Sequence, residues 1–180
     1  MPKSKKTRIL AIDPGTREMG VAVLGKGNLL YHGVEILRKL PSPQDRLRQG
    51  RVAVGRLIRN FRPTILVVEK TFIAKNRNTA LLNVLADEIC ALGRRKGIEV
   101  VTLAPNTVKK IVSGNGWANK AEVARAVAER YPRLKAYLPP CRKWKQRRHH
   151  NMFDAVALAV AYFFRNAARH FAAPLEHPTD

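Results

Sequence analysis

Two short apolar runs in this chain each end on a carboxylate, and that recurrence restricts the fold more than any other feature. Ile9-Leu10-Ala11-Ile12 leads into Asp13, and Ile65-Leu66-Val67-Val68 leads into Glu69. Unbroken aliphatic runs of this length, bounded by turn or charge signals, predict strands covered on both faces. A carboxylate at the end of such a strand is costly to bury unless it is paired or meets a cation.

The segments around these runs complete the expected fold. Pro14-Gly15-Thr16 is a turn signal, Gly20 to Leu24 a second strand, and Leu29 to Ile36 a third beyond the turn residues 25–28. Three consecutive strands with tight turns predict an antiparallel meander. After Pro41-Ser42-Pro43 the period changes, and Leu47, Val54, Ile58 and Phe61 recur at helical spacing until Pro63. Leu81, Leu85, Ile89 and Leu92 predict a second helix, closed by Arg94-Arg95-Lys96-Gly97, with a fifth strand from Ile98 to Leu103. A short helix begins at Pro105, and another follows Asn119, which with Glu122 fits a capping box. A last helix is expected from about His150 to about Ala168. Strands alternating with helices require parallel neighbours and right-handed crossovers. The expected class is therefore α/β: a mixed five-stranded sheet, a three-strand antiparallel meander plus two parallel strands, flanked by helices. One domain would span residues 1–180, with an irregular basic arm over about 133–148 and a frayed tail over about 172–180.

Charge narrows the partners. The 180 residues carry 34 Lys+Arg against 13 Asp+Glu, a net charge of +21, so a polyanion is the first partner to expect. The longest apolar run, Ala155 to Phe164, is about half of the roughly 20 residues that cross a bilayer, and no signal-peptide core precedes Asp13. Cys90 and Cys141 are far apart with no CxxC pairing, which suits a reducing, cytoplasmic setting.

With acids so scarce, their placement is informative. Asp13 and Glu69 end strands, and Asp154 falls near the start of the last helix. Any one of them alone reads as a capping or turn acid; together, on strands that can be neighbours, they suggest a shared hard cation such as Mg²⁺. Asn151 and His150 precede Asp154 by three and four residues, on the same helical face, so either can complete a coordination shell. Asn151 or His149 can equally cap the helix. Asp13-Pro-Gly-Thr16 with Gly20 also fits the phosphate hairpin of actin-like ATPases, but that fold needs two such lobes and this length supplies one.

Four blocks, in order, resemble the RuvC family of Holliday-junction resolvases. They are Ile12-Asp13-Pro14-Gly15-Thr16 with Gly20, Val68 through Asn76, Thr107-Val108-Lys109-Lys110 through Gly114-Asn115-Gly116 to Lys120, and Asp154 through Ala159. The likeness runs from about residue 8 to residue 166 and implies a ribonuclease-H-like fold, a homodimer, and Mg²⁺-dependent nicking of four-way DNA junctions, with Mn²⁺ accepted. The family's acidic ligands fall on Asp13, Glu69 and Asp154. Its fourth ligand, an Asp or His, falls on Asn151, a neutral oxygen where the family has a charge or an imidazole, unless His150 takes the role.

The resemblance also assigns DNA contacts. Phe72 matches an aromatic that stacks on an unpaired base at the crossover, with Lys75 and Asn76 beside it. Lys109 and Lys120 match basic residues near the cleaved strand, and Lys110 is expected as a further DNA contact. A longer link than the family's carries Arg142, Lys143, Lys145, Arg147 and Arg148 as an added phosphate-binding arm; a solvated loop is the plainer reading. On this pattern Asp13 would bridge two cations, Glu69 and Asp154 would each complete one shell, and Lys109 or Lys120 would offset charge at the phosphate. The alternatives are a junction-binding scaffold with a weakened site, or another branched-nucleic-acid nuclease.

Overall fold

The first apolar run lies at the centre of the sheet. The computed structural model describes residues 7–38, 42–70, 77–138 and 149–172. Five strands, β1 (Arg8–Asp13), β2 (Glu18–Gly25), β3 (Asn28–Ile36), β4 (Ile65–Glu69) and β5 (Glu99–Leu103), form one sheet in the order β3-β2-β1-β4-β5. β1, β2 and β3 pair antiparallel, whereas β4 pairs parallel with both β1 and β5, which is the mixed sheet expected. Lys26 and Gly27, both at positive φ, make the two-residue turn between β2 and β3, the conformation that matches strand twist in a tight hairpin.

Helices cover both faces. α1 (Pro43–Phe61) and α2 (Arg77–Arg95) lie on one; α3 (Pro105–Ser113), α4 (Lys120–Arg130) and α5 (His150–Ala172) lie on the other. Alternation along β1 divides the core between them. Leu10 and Ile12 face α1 and α2, and Ile9 and Ala11 face α5. β4 follows suit, with Leu66 and Val68 on the first side and Ile65 and Val67 on the second.

Local signals explain the helix ends. Ser42 caps α1, its hydroxyl oxygen accepting from the Asp45 N–H at 3.0 Å, with Pro43 in the first turn. Asn119 and Glu122 form the expected reciprocal capping box on α4. The basic arm needs correction at its start. Residues Pro132–Tyr137 form a 3-10 helix rather than irregular chain, because Leu134 is fully buried and the Arg133 guanidinium donates to the Leu29 carbonyl. Tyr137 and His149, which flank residues 139–148, meet edge to face at 5.2 Å, and Tyr137 meets His32 likewise at 5.3 Å. Residues 139–148 themselves, with Arg142, Lys143, Lys145, Arg147 and Arg148, lie outside the described residues, as does the tail from 173. α5 runs on to Ala172, a turn beyond the expected end.

Candidate active site

Strand register brings the first two acids together. Ile12 pairs with Val68 in the parallel β1–β4 ladder, so the next residues, Asp13 and Glu69, leave the sheet side by side. Neighbouring strands are about 4.8 Å apart, within reach of a direct contact between two carboxyls. Both acids continue the parity of Ala11 and Val67, which places them on the face covered by α5.

A glycine lets α5 come close enough to add the third. Gly20 pairs with Asp13 across the antiparallel ladder and is fully covered. A Cβ there would lie 1.7 Å from the Asn151 carbonyl oxygen, so the backbone of α5 rests directly on the strand. One turn further on, Asp154 is partly exposed within a stretch, Met152 to Tyr162, whose other side chains are all buried. Lys120, at the first turn of α4, reaches across to it, Nζ to Oδ2 at 2.7 Å. A cleft of about 250 Å³ opens between Glu69, Lys109, Lys120 and Asp154.

The electrostatics follow from that crowding. Burial, and after it the negative charges of Glu69 and Asp154, push the Asp13 carboxyl well above the usual acid range, against an opposing pull from Lys120. Burial and then Asp154 push Glu69 up as well, while Lys120 and Lys109 oppose the rise. The two carboxyls lie within hydrogen-bonding reach of each other, so each resists ionisation in the presence of the other. Burial would lower the Lys120 ammonium, yet the attraction of Asp154, Asp13 and Glu69 outweighs it and the net shift is upward. The Lys120 ammonium thus offsets part of the negative charge of the three acids.

Other sequence-predicted residues fall at varied distances from this centre. Lys109 lines the acid cleft, and Lys110, next along α3, lines a different groove with Trp117. Asn151 and His150 line an adjoining cleft of about 560 Å³ with Gly15, Thr16, Arg17, Glu18 and Lys120, so Lys120 stands between the two. The Asn151 amide nitrogen donates to the Glu18 carbonyl at 3.4 Å, an orientation that leaves Oδ1 as the oxygen for a cation. Phe72, Lys75 and Asn76 lie outside the described residues. Sequence reasoning missed the Lys120–Asp154 ion pair; the spacing of 34 residues carries no local signal for it.

The donor set suits a hard divalent cation. Carboxylate oxygens on two strand ends and a helix, with an amide oxygen nearby, are the ligands that Mg²⁺ and Mn²⁺ take. Among the described residues no three His, Cys, Asp or Glu side chains stand close enough together to hold a metal ion as they are placed. Raised carboxyl pKa values of this kind are what a dication reverses on binding, by displacing protons.

The chain is similar to known proteins over most of its length. The family model described as Crossover junction endodeoxyribonuclease RuvC matches residues 9–162. A protein of that description from Corynebacterium jeikeium is 30% identical over 174 residues, covering 93% of this chain and 96% of its own length. Another from Cutibacterium acnes is 33% identical over 174 residues, covering 93% and 83%. Among solved structures, T. thermophilus RuvC in complex with a Holliday junction substrate superposes with a TM-score of 0.72 at 26% identity, covering 94% of this chain and 99% of that one.

Proposed function

This chain belongs to the RuvC family of crossover junction endodeoxyribonucleases, and from that premise we propose that it nicks four-way DNA junctions at the Asp13, Glu69 and Asp154 cleft. The observation that carries the reading is the convergence of three carboxylates, scarce in so basic a chain, on one face of the sheet where the family's fold superposes. Asp13, Glu69 and Asp154 would hold Mg²⁺ or Mn²⁺, with Asn151 or His150 as a further donor; when bound, the metal polarises the phosphodiester and lowers the pKa of an attacking water.

The chain's own groups do the rest. Burial and the neighbouring acids hold Asp13 toward its protonated form, so alkaline conditions favour the carboxylate that would serve as a ligand. Lys120, raised in pKa, stays charged throughout that range and can offset the negative charge that builds on the phosphate oxygens. Lys109 stands on the opposite wall of the same cleft. In this reading Phe72, Lys75, Asn76 and Lys110, with Arg142, Lys143, Lys145, Arg147 and Arg148, would supply further DNA contacts.

A four-way junction is twofold symmetric, and two related nicks require two sites related by the same axis, so the working form in this reading is a homodimer. Val52 on α1 and Val84 on α2 are apolar and exposed, 63% and 45%, which supports a contact on that face. The setting is cytoplasmic, and no helix among the described residues is long and apolar enough to cross a membrane.

Asn151 favours a second reading, a junction-binding scaffold with a weakened cut, because it contributes no charge to the cation. A labelled four-way junction incubated with Mg²⁺ separates the two. Paired nicks from wild type, and binding without nicks from Asp13→Asn, are expected. Binding that never leads to cutting assigns the scaffold, and equal affinity for linear duplex sinks both.

A further inference from the structure

Trp117 is the most exposed large apolar side chain among the described residues, with 87% of its surface in solvent. A single exposed aromatic is ordinary, but this one is held in place from both sides. Gly114 ends α3 at φ 78°, its N–H returning to the Lys110 carbonyl. The Asn115 side-chain oxygen accepts from the Trp117 N–H at 2.9 Å, and the Asn115 carbonyl accepts from Ala118 at 3.1 Å. Ala118 is then buried and Asn119 caps α4. The loop between two helices is pinned along its length, and its indole is left outside the core.

The indole forms one wall of a groove of about 370 Å³ whose other walls are Asn106, Thr107, Lys110, Ile111 and Gly116. α3 separates this groove from the acid cleft: Pro105, Val108 and Lys109 line the cleft, and the residues between them line the groove. Trp117 is also three residues ahead of Lys120, the lysine bonded to Asp154. An aromatic plane, an aliphatic floor, an amide and a hydroxyl at the edge, and one ammonium match the parts of a nucleotide. The π-face of a base stacks, its edge forms hydrogen bonds, and its phosphate meets the charge.

We propose that this groove receives one unpaired nucleobase of the DNA strand passing through the acid cleft, stacked on Trp117, with Asn106 and Thr107 reading its edge. The inference rests on the junction-nicking reading and adds to it a base-binding subsite. α3 lies between the groove and the acid cleft, so the bound base is set off from the cut by about the width of a helix, about 10 Å. Sequence preference in cutting then has a physical source at that position.

The test uses the full chain. Trp117 and Trp144 are its two tryptophans, so Trp144→Phe leaves Trp117 as the reporter. Adding a four-way junction quenches its emission and shields it from acrylamide. Trp117→Ala binds the junction about 5- to 150-fold more weakly, the range that loss of one stacked base brings, while Trp117→Phe recovers most of the loss. Asn106→Ala shifts which junction sequences are cut. Unchanged emission, or a Trp117→Ala variant with wild-type affinity and cutting pattern, overturns the subsite and leaves the nuclease reading standing. If wild type itself neither binds nor cuts junctions, the nuclease reading fails and the subsite with it.

Discussion

Gly20→Ala tests the geometry of the site without touching an acid, a lysine or a DNA contact. The added methyl carbon would stand 1.7 Å from the Asn151 carbonyl oxygen, 2.4 Å from its carbonyl carbon and 3.2 Å from the Ala155 Cβ. A carbon–oxygen contact needs about 3.3 Å, so the first turn of α5 must retreat by about 1.6 Å. The two nearest atoms are backbone and the third is a Cβ, none of which has a rotamer to change, and the sheet on the other side of Gly20 is covered by α1 and α2. The displacement therefore falls on α5 and carries Asp154 away from Asp13, its partner strand's terminal acid.

Two effects of different size follow. Overpacking of this kind costs roughly 1–3 kcal/mol, which lowers the melting temperature by about 2–12 °C for a chain of this length. A misplacement of about 1 Å in a catalytic constellation costs on the order of 100-fold in rate, so cutting should fall at least that far. Junction affinity should stay within about threefold of wild type, since phosphate contacts dominate it. Single-turnover cleavage of a labelled junction, anisotropy with the same junction, and a thermal melt measure the three quantities. A variant that melts and cuts like wild type refutes the close approach of α5 to β2. One that melts lower but cuts normally refutes the claim that this approach positions Asp154.

The other predictions are briefer. Because Asp13 and Glu69 titrate above the ordinary range when folded, the folded chain binds the proton more tightly than the unfolded one, and stability falls as pH rises from the ordinary carboxylate range through the raised values. Asp13→Asn should flatten that fall in metal-free chemical denaturation, and Mn²⁺ should restore stability at pH 8 to wild type but not to the variant. Asn151→Asp exchanges the Glu18 hydrogen bond, about 1 kcal/mol, for a charged ligand; the Mn²⁺ concentration that half-saturates cutting should fall by about tenfold or more, and no change would remove residue 151 from the shell. Replacing Arg142, Lys143, Lys145, Arg147 and Arg148 by Ala should reduce the log–log salt slope of junction binding by about 4–5 if each meets a phosphate, whereas an unchanged slope returns those residues to a solvated loop.

Legibility in the sequence followed interaction range. Apolar runs, turns and caps act over a few residues, so the strands, the meander and the Asn119–Glu122 box could all be read directly. The acids at the ends of β1 and β4 were readable because a strand ending on a charge is a local pattern; that the two would stand side by side depends on parallel register, which the sequence leaves open. The Lys120–Asp154 bond and the contact of Gly20 with Asn151 join residues more than 30 and 130 positions apart, and nothing nearby announces either. Residues 133–138 misled in the opposite way: as the start of a segment, 133–148, rich in Arg and Lys and broken by Pro139 and Pro140, they suggested a loose arm, but one leucine with a place in the core orders them. Trp117 looked unremarkable in a Gly-Asn-Gly loop because exposure is a property of the folded surface.

The net charge of +21 can now be separated into what it does and what it leaves undone. Attraction to phosphate raises affinity for every nucleic acid alike and weakens with salt, so it cannot choose a junction over a duplex. Choice requires groups whose positions are fixed before DNA arrives. The acids have that property, since two are strand termini in register and the third rides on a helix seated against Gly20. So has the backbone that carries Trp117, pinned by Asn115 between two capped helices. α3 ties these features together, with Lys109 facing the acid cleft and Lys110 facing the indole groove. A strand whose phosphate lies at one side of that helix and whose base reaches the other must leave its stack, and a branch point is where duplex DNA most readily allows that.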